Sequence, residues 1–242
     1  MSASGFILGI KEYTYRGIQQ LPIVLASTSL IFMITTGSMA HTNLVLGLAF
    51  LIPVYTFIMQ TVLGFIMAAW FSNYKASWTR STGDTCDIIS SGSSKKLFET
   101  LRSSADATAE SVPSYWLMSL AFFIGYSLTN AVDNLMTPAQ PSSDTTGHEK
   151  RSTQAMFIII ATVIFTVGVL IIRFWYMRGC EGRGWIGSML SLMCAVIAGY
   201  IGNGVYSLSK KCGARSSDLF GIMSQILPVA STRSNPIVCA AE

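Results

Sequence analysis

Charge is what this sequence has least of. From Gly17 to Tyr74 there is no Asp, Glu, Lys or Arg in 58 consecutive residues. Three more charge-free blocks follow, at Ser111–Val132, Ser152–Ile172 and Gly184–Ser209. Only 12% of the 242 residues are charged, where a soluble domain carries about 25%. A soluble fold of this length needs charge spread over its surface, and here it is missing in long blocks. A helix that crosses a bilayer takes roughly 20 predominantly apolar residues. Each of the last three blocks fits one span, and the first is long enough for two. The expected fold is therefore all-α: a polytopic transmembrane helical bundle of about five spans, with short amphipathic surface helices.

Other absences narrow the function. The net charge of +4 is scattered, with no run of more than two basic residues, so the dense basic stripe of a nucleic-acid binder is missing. The five cysteines, Cys86, Cys180, Cys194, Cys212 and Cys239, have no C-x-x-C spacing, which leaves metal and redox motifs unsupported. Cys194 falls inside an expected span, where a free thiol behaves as a small apolar group. The two histidines, His41 and His148, lie far apart and are expected in loops facing water, whereas a metal site needs several converging ligands. There is no G-x-S-x-G elbow. The Gly-rich GCEGRGWIG lacks the Lys-Ser/Thr ending of a phosphate loop and reads as a turn. The sequence thus supplies no catalytic, cofactor-binding or metal residue, and no enzyme is expected. No N-x-S/T sequon helps with sidedness.

The chain divides into five stretches. Residues 1–20 mix Phe6, Ile7, Ile10, Tyr13 and Ile18 with Lys11, Glu12 and Arg16, an amphipathic lead-in suited to the headgroup region. A transmembrane hairpin follows over 21–74. Its first span, about Leu21–Ser38, has Pro22 near the expected helix start. A polar turn at Thr35–Asn43 leads into the second span, about Leu44–Phe71, where Pro53 predicts a kink. Trp70 and Tyr74 sit where an interfacial aromatic belt belongs. Ser38-Met39-Ala40 faintly resembles a signal-peptide cleavage site, but the apolar stretch is longer than a usual h-region, so an uncleaved first helix is expected. Residues 75–112 form a polar loop in which Leu97, Leu101 and Ala105 predict a surface helix. Spans 3 to 5 occupy 113–208: about Ser114–Met136, Ala155–Ile172 and Trp185–Leu208, with a Pro/Ser/Thr-rich loop over 137–154. The fourth span ends in Arg173-Phe174-Trp175-Tyr176-Met177-Arg178, an anchor expected to snorkel to the interface. The tail, 209–242, carries a second candidate surface helix over 218–230.

With five spans, the N-terminus, the 72–112 loop and the 178–184 turn share one side and carry nine Lys/Arg. The opposite side carries six. The excess favours a cytosolic N-terminus, although Lys210 and Lys211 pull the other way.

Two constellations stand out. In the fifth span Gly187, Ser191, Ala195, Gly199 and Asn203 recur every four residues, with Ala198, Gly202 and Gly204 beside them. Residues four apart stack on one helix face, so the stripe is a groove where another helix can approach closely. It serves either packing within the bundle or contact with another copy or partner. In the third span Tyr126, Asn130 and Asp133 form a polar edge, with Ser127, Thr129 and Asn134 adjacent. An intramembrane carboxylate raises the option of ion or proton coupling. Asp133 is also close to the helix end, where it can reach water or a neighbouring Lys or Arg.

One stretch carries a resemblance. Pro-Ser-Tyr-Trp at 113–116, Phe122-Phe123, Gly125-Tyr126 and Asn130-Ala131, within VPSYWLMSLAFFIGYSLTNAVDNL (112–135), resemble a segment of small polytopic proteins of large icosahedral DNA viruses of algae and protists. LAFLIPVY (48–55) gives a weaker likeness. The resemblance implies a chlorovirus-like virion protein: a membrane-embedded minor capsid protein anchoring an icosahedral shell to the internal viral membrane. Its implied partners are the lipid bilayer and other capsid or membrane proteins of the same assembly, with a homo-oligomer as a further option and no nucleic acid. Its implied location is the virion inner membrane or host endomembrane. The alternative is a small ion or solute channel or transporter using the polar edge of span 3; a cellular membrane-organising subunit is a third.

Overall fold

The computed structural model describes residues 3–36, 39–70, 113–136, 145–175 and 185–211, together with Leu219. Among them the chain forms α1 (Ala3–Thr36), α2 (Met39–Leu46), a π-helical turn (Gly47–Leu51), α3 (Ile52–Trp70), α4 (Tyr115–Met136), α5 (Thr145–Trp175) and α6 (Trp185–Lys211). Leu46 and Ile52 keep right-handed helical dihedrals on either side of the π turn, so α2, the turn and α3 make one continuous rod. The fold is all-α, as the charge-free blocks predict. Three helical stretches are long and apolar enough to cross a membrane, Met39–Ile66, Ser152–Phe174 and Gly187–Lys211, and Gln20–Thr35 is a shorter apolar helix.

The π turn sits just ahead of Pro53, where the sequence predicts a disturbance. Proline has no N–H and its ring collides with the carbonyl four residues back. The wider turn, closed by the Ile52 N–H on the Gly47 carbonyl, is a known way for a helix to absorb such a fault. Pro22 behaves otherwise. It lies inside α1 rather than at a helix start, because the lead-in and the first span form one uninterrupted helix. Two further expectations are corrected. His41, Thr42 and Asn43 belong to α2, not to a turn. The helix of the fourth span begins at Thr145, so the second half of the expected 137–154 loop, including His148, is helical. The surface helix expected near 96–105 and the 178–184 turn lie outside the described residues. So does the 218–230 helix, apart from Leu219, which is buried in the core.

Cross-contacts give the topology. Residues 125, 130 and 133 of α4 meet residues 199, 206 and 210 of α6 in ascending order, so these two helices run parallel. The α2–α3 rod runs against both. Ala40 meets Tyr126, Tyr115 meets Leu48 and Gln60 meets Pro113, while Asn43 meets Ser209 and Tyr55 meets Cys194. Phe32 stacks on His41 across the α1–α2 connection, and Arg173 reaches Ser188 across the α5–α6 connection.

Helix α4 is the hub, touching α1, the π turn, α3, α5 and α6. Trp116, Leu117, Met118, Leu120, Phe122, Tyr126 and Ala131 are all buried on it. The other helices turn large apolar side chains outward: Ile23, Ile31 and Ile34 on α1, Val54, Phe57 and Phe65 on α3, and Phe157, Ile160 and Ile164 on α5. In water so much exposed apolar surface would drive aggregation; against lipid it is the favourable arrangement. Outward hydroxyls are also accounted for. Thr28, Thr35 and Thr61 each donate to the carbonyl four residues back, which satisfies them without water.

Candidate functional site

One group of polar side chains inside the bundle lies toward one end. There Tyr126 donates its hydroxyl to the Ala40 carbonyl at 2.8 Å, tying α4 to the start of α2. Its ring meets Tyr206 edge to face, with centroids 5.5 Å apart, a favoured aromatic geometry. Asn130, fully buried, donates its amide N–H to the Tyr206 hydroxyl at 3.3 Å. Tyr206 in turn donates to Asp133 Oδ2 at 3.1 Å. Lys210 closes the series with an ion pair to Asp133 Oδ1. Asn134 donates to Asn130 Oδ1, and Asn43 donates to Ser209 Oγ. The result is a set of hydrogen bonds across α2, α4 and α6 that gives these side chains partners in a low-dielectric site, although the buried Ser127 hydroxyl of α4 has none among the described residues.

The polar edge read from the sequence is therefore real, and its residues come together. They are joined by Tyr206, Lys210, Asn43 and the Ala40 carbonyl, none of which sequence reasoning attached to it. Tyr206 and Lys210 are one turn apart near the end of the fifth span, matching the spacing of Asn130 and Asp133. That match was visible, but only a parallel register of α4 and α6 makes it meaningful. Asp133 is a paired helix-end carboxylate, with Lys210 half exposed beside it. A surface-type pair of this kind contributes little, because solvent screens it.

Below this cluster α4 and α6 are pressed backbone to backbone. A Cβ added at Gly125 would overlap the Gly199 carbonyl, and one at Gly202 would overlap the Phe122 carbonyl. At Gly199 it would meet the Ala121 carbonyl at 3.3 Å. The small-residue stripe is thus used within the chain: Gly187, Ser191, Ala195, Ala198 and Gly202 are buried, whereas Asn203 is exposed. Gly125, a lone glycine among bulky neighbours on α4, was the unnoticed counterpart. The far end of the bundle is held by bonds to backbone carbonyls. Gln60 donates to that of Pro113, Tyr115 to that of Leu48 and Tyr55 to that of Cys194.

Two side chains depart from expectation. His41 is buried and stacked on Phe32 at 5.5 Å rather than facing water, because α2 starts before it and turns it into the bundle. Arg173 does not reach outward as an interfacial anchor. Its side chain is 3% exposed, donates to the Ser188 carbonyl at 3.3 Å and lies 5.5 Å from the Phe174 ring centroid. The Ser188 carbonyl in the first turn of α6 gives the guanidinium an acceptor within the bundle. Among the described residues no three His, Cys, Asp or Glu side chains converge on a point that could hold a metal.

Comparison with protein-family models, with curated proteins and with solved structures finds no match. What its own helices establish is that the chain is a multi-span α-helical integral membrane protein.

Proposed function

We propose that this chain is a non-enzymatic structural anchor that crosses the bilayer five times and holds neighbouring proteins of its assembly through its polar segments. The observation that carries the reading is the fate of the α4 polar edge. Tyr126, Asn130 and Asp133 are engaged with Ala40, Tyr206 and Lys210, and α4 and α6 meet at glycine. A helix pair locked in this way suits a fixed anchor better than a carrier whose helices must part. The count of five is supported by the parallel run of α4 and α6 and the opposed run of the α2–α3 rod. It requires that α4, too polar to face lipid on all sides, cross within the shelter of the others.

The sequence resemblance gives the anchor a setting: a minor capsid protein joining an icosahedral shell to the membrane inside it. Amine crosslinking of native particles or membranes, followed by mass spectrometry, tests this through Lys95, Lys96, Lys210 and Lys211. Crosslinks to abundant shell proteins are expected, and a pattern of self-crosslinks alone would count against the reading. The competing reading, a transporter working through Asp133, is separated by two variants. Asp133→Asn leaves an anchor assembled but abolishes ion or proton coupling. Gly199→Leu forces α4 and α6 apart and abolishes assembly.

A further inference from the structure

Several polar side chains of the apolar helices face away from the bundle, Ser27, Thr28, Ser207 and Asn203 among them. Asn203 is exposed on α6. With the apolar span Gly187–Lys211 centred in the bilayer its midpoint is Gly199, four residues before Asn203, which puts Asn203 about 6 Å from the centre of the hydrocarbon at 1.5 Å per residue. Ser207 donates its hydroxyl to Asn203 Oδ1 at 3.3 Å, which orients the amide. The two N–H groups of Nδ2 have no acceptor among the described residues, unlike the outward hydroxyls of Thr28, Thr35 and Thr61, which bond to their own helix. Lipid tails offer none, and an unsatisfied donor at this depth is strongly unfavourable.

The surroundings of Asn203 are shaped for a neighbour. Val196, Tyr200, Asn203 and Ser207 follow the spacing of a single helix face, and Val196 and Tyr200 are 69% and 77% exposed. Gly204 lies beside them, and a Cβ added there would meet nothing. The face therefore offers a projecting ring at Tyr200 and a notch at Gly204, on the side of α6 turned away from α4.

We propose that this face of α6 binds the same face of a second copy of the chain, with the two Asn203 amides exchanging hydrogen bonds. Copies inserted in one membrane share their orientation. A two-fold axis along the membrane normal then brings each residue opposite its counterpart at the same depth. A carboxamide carries donor and acceptor together, so Asn203 is its own complement, and Oδ1 keeps a lone pair beside the one Ser207 uses. The exposed Val196 and Tyr200 of each copy add contact area, and the open Gly204 lets the two backbones approach, giving the close packing that drives helix association in lipid. Such a contact is isologous and closed, and it leaves the α4–α6 packing untouched.

The test uses the full chain, labelled for energy transfer and reconstituted in phosphatidylcholine vesicles over a range of protein-to-lipid ratios. Wild-type chains are expected to pair. Asn203→Leu, which removes the amide at an exposed position, is expected to weaken pairing about tenfold, and Asn203→Gln to retain it. In a background with Cys86, Cys180, Cys212 and Cys239 changed to Ser, N203C chains are expected to crosslink on oxidation. V163C chains, altered on the outward face of α5, are not. Monomeric wild type, pairing unchanged in Asn203→Leu, or crosslinking no better in N203C than in V163C would each overturn the proposal.

Discussion

Gly202 and Gly204 are two residues apart on α6, yet their surroundings differ completely. At Gly202 the Phe122 carbonyl and the Tyr126 N–H of α4 occupy the place of a side chain, and at Gly204 that place is open. Gly202→Ala must therefore push backbone against backbone and is expected to cost about 2 kcal/mol, in the range of overpacked cores. Gly204→Ala is expected to be neutral or slightly stabilising, since alanine is the better helix former. Denaturation of the reconstituted protein with a graded anionic detergent distinguishes the two. Tyr126 makes a second residue-level case. Tyr126→Phe keeps the ring against Tyr206 and removes only the hydrogen bond to Ala40. The same titration is expected to show a loss of about 0.5–1.5 kcal/mol, typical of an interhelical hydrogen bond in lipid. A larger loss would mean that the hydroxyl also supports the Asn130–Tyr206–Asp133 series.

At the scale of the element, α4 separates what could be read in the sequence from what could not. The charge-free block Ser111–Val132 announces a helix, and its polar edge announces something other than lipid on one side. Burial on the remaining sides carries no periodic mark, because a helix enclosed by neighbours needs only to avoid charge. The α4–α6 pairing was half legible. The stripe Gly187–Asn203 advertised an interface, but its partner glycine, Gly125, stands alone, and one glycine is not a pattern. Arg173 and His41 were misread for a related reason. Polar residues at span ends ordinarily face water or headgroups, and only the contacts with Ser188 of α6 and Phe32 of α1 hold these two inward. The enclosure of α4 has a direct test. A carbene reagent released from the lipid phase is expected to modify α5 heavily at Phe157, Ile160 and Ile164, and to leave Leu120 and Phe122 of α4 almost unmodified, as peptide mass mapping would record. Comparable labelling of the two helices would rule out the hub arrangement.

For the molecule as a whole, the five-span reading makes a sidedness prediction. If each rod crosses, Lys11, Lys75, Lys95 and Lys96 lie on one face of the membrane, and Lys150 and Lys211 lie on the other. A membrane-impermeant amine reagent applied to sealed, oriented vesicles is expected to label the first group from one side only and the second group only after the vesicles are opened or inverted. Labelling of Lys11 and Lys150 from the same side would mean that one of the rods between them does not cross. The excess of basic residues favours the first group as the cytosolic one.

The parallel register of α4 and α6 also imposes an order in time. Asn130 and Asp133 find their partners 73 to 77 residues further along the chain. At the pace of synthesis, about 5–20 residues per second, Tyr206 and Lys210 emerge from the ribosome roughly 4–15 s after the groups they satisfy. During that interval α4 carries Asn130 and Asp133 without their partners from α6, a poor state in which to be released into lipid. The nascent helix has reason to linger at the site of insertion until α5 has been made and α6 has arrived, so that a later-made helix completes the one at the bundle's centre.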